Sequence, residues 1–136
     1  MGEAQHSSRI SRHTANPEAF RYYVRLARIE AWLNEQYADD ASLATAARVA
    51  GLNTKYFSRF FRDKTGVRFS EWVHAVRVEK ATHMMQASNH SITTVAFDVG
   101  YIDLRTFERV FKKHMGMTPR EYRESVRPDR ARCSGV

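Results

Sequence analysis

The chain has 136 residues, 43% of them hydrophobic, with 22 Lys+Arg against 15 Asp+Glu and a formal net charge of +7. That length supports one modest core or two small ones sharing an element, and its longest apolar runs fall well short of the roughly 20 residues that cross a bilayer. With no apolar signal core at the N-terminus and one cysteine, Cys133, which rules out an internal disulfide framework or a cysteine zinc finger, the chain reads as soluble and cytoplasmic, with a charge that suits a polyanion.

Residues 1–16 are polar and lack apolar periodicity, so a flexible leader is expected there. Asn16-Pro17-Glu18 then offers an N-cap, a proline at the first helical position and an acid that complements the helix dipole. Tyr22, Leu26, Ile29, Leu33 and Tyr37 follow at helical spacing, which predicts one long first helix from Pro17 to Tyr37. Ser42 caps a short helix over Leu43–Ala50, Gly51 supplies a turn, and Asn53 caps a helix that runs to about Lys64 before Gly66. Ser70–Ala87 contains neither Gly nor Pro and reads as a continuous linker helix.

The pattern then begins again. Ser91 opens a helix, Gly100 turns it, Asp103 caps its successor, and that successor runs to about His114 before Gly116. Thr118-Pro119-Arg120-Glu121 has the form of a capping box, starting a last short helix through Tyr122. The organisation expected is a leader at 1–16, a first helix and helix-turn-helix at 17–66, a linker helix at 67–89, a second helix-turn-helix at 90–124 and a flexible tail at 125–136. No stretch alternates with period two, so the fold class is all-α, with about seven helices in two homeodomain-like subdomains.

The repeat is internal and specific. Ala47 aligns with Ala96 and Gly51 with Gly100 at an offset of 49 residues. After one extra residue in the second turn the offset becomes 50, and Phe57 meets Phe107, Arg59 meets Arg109, Phe61 meets Phe111, Gly66 meets Gly116 and Trp72 meets Tyr122. The alanines are small enough for two steeply crossing helices, and the glycines permit a left-handed turn. Phe57, Phe60 and Phe61, with Phe107, Val110 and Phe111, are expected to form the buried stripes of the two second helices. Two helical hairpins left by an old duplication would also bury those aromatics. The basic faces Lys55, Arg59, Arg62 and Arg105, Arg109, Lys112, paired with Ala-x-x-x-Gly spacing, favour readers of double-stranded DNA. A linker helix of about 18 residues is roughly 27 Å long, which with its flanking turns suits the ~34 Å between successive major grooves on one face.

The motifs Ile92-Thr-Thr-Val-Ala-Phe-Asp-Val-Gly-Tyr101, Phe107-Glu-Arg-Val-Phe-Lys-Lys113 and Gly116-Met-Thr-Pro-Arg-Glu-Tyr-Arg123 carry a family likeness. Over about Ile29 to Arg123 the chain resembles the DNA-binding domain of AraC/XylS-family bacterial transcription regulators, with the first half following their looser pattern. The resemblance implies seven helices, two helix-turn-helix units, and activation by contact with RNA polymerase. It places base-facing positions on Lys55, Ser58 and Arg59, and on Leu104, Arg105, Thr106, Glu108 and Arg109. Arginine can read guanine, leucine a thymine methyl, and glutamate cytosine N4; the same arginines suit phosphates, and Glu108 can pair within its own helix. Arg62, Lys64, Lys112 and Lys113 suit phosphates and equally complement the helix dipole. Phe69 stands where the second copy has Pro119. With no effector-binding or dimerisation domain before the first helix, the chain resembles the family's small stand-alone members, the alternative being a DNA-binding fragment of a larger effector-responsive regulator.

Other chemistry finds no support. His6, His13, His74, His83, His90 and His114 show no metal-ligand spacing, and no phosphate loop, nucleophile elbow or carboxylate pair is present. No enzyme activity, cofactor or metal is expected, and Cys133 reads as a bystander thiol. The expected partner is double-stranded DNA, bound by a monomer unless Pro17–Tyr37 mediates self-association, in the cytoplasm at the nucleoid. Two other readings compete: an interaction module built on the aromatics of Phe20–Trp32 with secondary DNA affinity, and non-specific chromosome coating.

Overall fold

The computed structural model describes residues 15–126. The expected leader up to residue 14, the tail from residue 127, and with them His6, His13 and Cys133, lie outside the described residues. Within them the chain is all-α and no strand occurs. Its helices are α1 (Pro17–Tyr22), α2 (Val24–Gln36), α3 (Leu43–Ala50), α4 (Thr54–Thr65), α5 (Phe69–Ala87), α6 (Ile92–Asp98), α7 (Leu104–Met115) and α8 (Pro119–Val126).

The long first helix expected over Pro17–Tyr37 is two helices. Tyr23 breaks it with φ −103° and ψ 119°. The reason lies in which aromatic reaches the core. Had the helix continued, Tyr22, four residues before Leu26, would have shared Leu26's buried face. With the break Tyr22 is 80% exposed and Phe20 is buried instead, its ring 5.1 Å from Trp72 in a stacked arrangement. The ends of the chain also differ from expectation. Ala15 is buried and the Asn16 N–H donates to the Thr65 carbonyl at 2.9 Å, so the docked chain begins before residue 17. At the other end α8 continues to Val126, taking in Ser125, whose hydroxyl donates to the Tyr122 carbonyl at 2.8 Å.

The chain divides into two compact units, Met1–Val76 and Arg77–Val136, the division falling inside α5. In the first, Leu26, Ile29 and Leu33 of α2 pack with Ala46, Ala47 and Ala50 of α3 and with Phe57 and Phe61 of α4. The Phe61 ring lies 5.2 Å from Trp72 and 5.5 Å from Phe69, so the start of α5 belongs to this core. Arg25 Nε donates to the Ala50 carbonyl at 3.2 Å, closing the C-terminal end of α3. In the second unit Val95, Ala96 and Val99 are buried with Phe107, Val110 and Phe111, and so are Val78, Ala81 and Met85 of α5. Phe111 packs edge-on to Tyr122 of α8 at 5.7 Å, the counterpart of the Phe61–Trp72 contact.

Candidate nucleic-acid interface

Each unit presents one helix-turn-helix, α3–α4 and α6–α7, and the two are built by the same local bonds. Ser42 and Ser91 cap the first helices by accepting from the N–H of Thr45 and Thr94, and each serine hydroxyl also donates to that threonine's Oγ1, at 3.0 and 2.9 Å. The turns close on Ala47 and Ala96. Leu52 N–H donates to the Ala47 carbonyl at 2.9 Å and Tyr101 N–H to the Ala96 carbonyl at 3.0 Å. Gly51 and Gly100 hold φ of 74° and 108°, a region that costs a side chain dear. Asn53 and Asp103 then cap α4 and α7, each side-chain oxygen accepting at 2.8 Å from the N–H three residues on.

This scaffold sorts the faces of α4 and α7. Phe57, Phe61, Phe107 and Phe111 are fully buried. Lys55, Ser58, Arg59 and Arg62 are exposed at i, i+3, i+4 and i+7 of α4, where they line a shallow concavity together with Leu43 and Thr54. Arg105, Glu108, Arg109 and Lys112 are exposed at the same spacing on α7, with Lys113 exposed beside them. Leu104 and Thr106 are half-buried at the flanks. Thr106 is also engaged by the cap, its hydroxyl donating to Asp103 Oδ2 at 3.0 Å.

Lys64 stands apart from the other cations. Nine residues beyond Lys55, it falls about half a turn around α4, and its ammonium sits 5.2 Å from the centre of the Tyr23 ring. That placement gives it an aromatic face rather than a place in the basic stripe. Its counterpart at offset 50, His114, is buried. Three apolar residues not anticipated as surface features are exposed on the two helix-turn-helix units: Tyr56, Phe97 and Ile102. Tyr56 lies against Phe60 at 6.3 Å. Of the three, only Ile102 left a mark in the sequence, as the extra residue that lengthens the second turn.

The caps are also where charge is held. Hydrogen bonds from the Thr106 backbone and hydroxyl keep the Asp103 carboxyl below its ordinary value of 3.8, with Arg105 and Arg109 adding smaller contributions. Glu121 is lowered the same way by Thr118, through the reciprocal bonds of the expected capping box at 2.8 and 3.1 Å. Asp40 is lowered by bonds from Thr45 and Ser42. Burial pushes the Tyr101 phenol up to about 12 against the pull of Arg77, whose guanidinium lies 5.4 Å from its ring centre. Among the described residues no group of three His, Cys, Asp or Glu could hold a metal ion, and no helix is long and apolar enough to cross a membrane.

Two copies of a capped, glycine-turned helix pair with a basic second helix define a helix-turn-helix protein. A family model described as a helix-turn-helix domain matches residues 46–125. The chain belongs to that family, the AraC-type helix-turn-helix domains, as its motifs imply. The HTH-type transcriptional activator RhaS of Escherichia fergusonii is 30% identical over 101 residues, covering 74% of this chain and 36% of that protein. The chain therefore spans about a third of the length of such curated relatives. Among solved structures, the C-terminal domain of AraT, a response regulator from Geobacillus stearothermophilus, is 26% identical with a TM-score of 0.73, over 77% of this chain and 88% of that one. The DNA-binding domain of the global transcriptional factor AdpA, in complex with a target DNA, is 28% identical with a TM-score of 0.71, over 77% of this chain and 95% of that one.

Proposed function

We propose that this chain is a sequence-specific double-stranded DNA-binding regulator of transcription, acting as an activator, that inserts α4 and α7 into adjacent major grooves. The observation that carries the reading is the repeated exposed stripe, Lys55-Ser58-Arg59-Arg62 on α4 and Arg105-Glu108-Arg109-Lys112 on α7, each opposite a fully buried pair of phenylalanines. Lys55, Ser58, Arg59, Arg105, Glu108 and Arg109 face bases in this reading, while Arg62, Lys112 and Lys113 meet phosphates. Leu104 reads from the rim, and Thr106 serves chiefly to seat the cap. The protein is a binding protein rather than an enzyme, works in the cytoplasm at the nucleoid, and contacts RNA polymerase to activate. The described residues provide both reading helices, so one monomer suffices for one bipartite site.

The test is a binding selection from random duplex DNA at about 0.15 M salt, where non-specific electrostatic binding is already weakened, repeated with Arg59→Ala and Arg109→Ala. The expected result is a two-part motif, each substitution relaxing its own half at a cost of about 1–3 kcal/mol. No enriched motif would leave chromosome coating as the reading. A second reading is favoured by Tyr22 and Val24, 80% and 74% exposed where α1 meets α2: a docking face at that joint. Trp32, by contrast, packs half-buried against the first core. Sedimentation separates the two, since a concentration-independent monomer with undiminished DNA affinity removes self-association through that face.

A further inference from the structure

The second turn is one residue longer than the first, and the fold makes no use of the extra residue. Both turns close with the same alanine carbonyl bond and both second helices start from an Asx cap, so the added residue lies between closure and cap. It is Ile102, and it is 93% exposed. A lone exposed apolar side chain needs no explanation on an ordinary loop. This one immediately precedes the capped N-terminal end of α7, the end of a recognition helix whose residues meet base edges. It is followed, across Asp103, by Leu104, which is itself only half-buried. At the corresponding end of α4 the residue before the cap, Leu52, packs against the first core, and Asn53, Thr54 and Lys55 are all polar and exposed. The leading end of α7 therefore carries exposed apolar chemistry that the leading end of α4 lacks.

We infer that Ile102, together with Leu104, forms an apolar tip on α7 that takes thymine 5-methyl groups in the major groove. The inference rests on the DNA-reading function proposed above. The thymine methyl is the one apolar feature that a base pair displays in that groove, and the stripe Arg105, Arg109 and Lys112 behind the tip supplies the charge that draws a duplex to it. A protein surface on the tip is the other occupant an apolar pair would accept. The cationic stripe on the same helix favours DNA.

The probe is the duplex selected with the full chain, with each thymine of the half-site assigned to α7 by Arg109→Ala replaced in turn by deoxyuridine, which removes only the methyl. At one or two positions the unsubstituted protein should lose about fourfold in affinity, the equivalent of about 0.8 kcal/mol for one methyl-sized group. Ile102→Ser should weaken binding to the thymine duplex by a similar factor and bind the thymine and deoxyuridine duplexes alike, whereas Ile102→Val should keep the preference. The coupling between protein and base substitutions isolates the contact, and an unchanged melting temperature for Ile102→Ser shows that the fold is intact. The inference is overturned if no deoxyuridine position matters, or if Ile102→Ser leaves the preference intact, including the case in which it spares DNA binding and lowers only transcription. A selection that yields no motif would sink the DNA-reading function along with it; a motif without methyl dependence would sink the tip alone.

Discussion

Arg62 and Lys64 are two residues apart on α4 and carry the same charge, yet they face different things. Arg62 lines the concavity with Lys55, Ser58 and Arg59, while Lys64 rests over Tyr23. Arg62→Ala should therefore lower the slope of log affinity against log salt by about one and leave sequence preference unchanged. Lys64→Ala should leave that slope alone and cost about 0.5–1 kcal/mol of folding stability, the worth of an exposed cation–π contact. Salt titration of binding and urea denaturation of the two variants read these outcomes separately. Asp103 invites another comparison, because Asn53 does the same capping work without charge. With its carboxyl held below 3.8 in the fold, Asp103 contributes stability that is present above that value and lost as pH falls through the lowered one. Asp103→Asn should keep the cap and flatten the acid limb of the stability profile, as denaturation between about pH 5 and pH 2 would show.

At the scale of the element, turns and caps were legible because their chemistry is local. Ser42, Asn53, Ser91, Asp103 and the Thr118–Glu121 box each act on an N–H three residues away, within reach of a sequence pattern. The turn glycines were legible for the same reason. Gly51→Ala meets nothing within 4 Å, so its cost should be the backbone strain alone, about 1–2 kcal/mol, smaller with asparagine and measurable by chemical denaturation. What escaped the sequence depends on distant partners. The break at Tyr23 follows from Phe20 finding Trp72 and Phe61, residues more than thirty positions away, and no spacing within 17–37 records that. The place of Lys64 over the Tyr23 ring is likewise a contact between residues far apart in sequence. Truncating Phe61, which meets four aromatic rings in the first core, should cost about 3–5 kcal/mol. Near-ultraviolet circular dichroism under denaturant would register the loss.

For the whole molecule, the function proposed above divides the work: the net charge of +7 sets how strongly DNA attracts the chain, and the two stripes set which DNA it keeps. Those contributions separate experimentally. Scrambling one half of a selected site should cost affinity while leaving most of the salt dependence, because phosphate contacts survive a change of bases. A coating protein would be indifferent to the scramble. The all-α class and the duplicated plan were legible from composition and repeat because both are global regularities, whereas the extra turn residue was visible only as a break in register, and its exposure waited for the fold.

The matched scaffolds have an evolutionary consequence. Their alanines, glycines, phenylalanines and caps agree in kind, and three of the four stripe positions are cationic in both copies; the fourth is Ser58 in one and Glu108 in the other. On the proposed function, architecture and base preference thus occupy different residues, so the preference can be transplanted without disturbing the scaffold. On that same reading, exchanging Ser58→Glu with Glu108→Ser amounts to trading two words between sentences of identical grammar, and the repeated plan leaves one half of a bipartite site open to revision while the other half keeps its meaning.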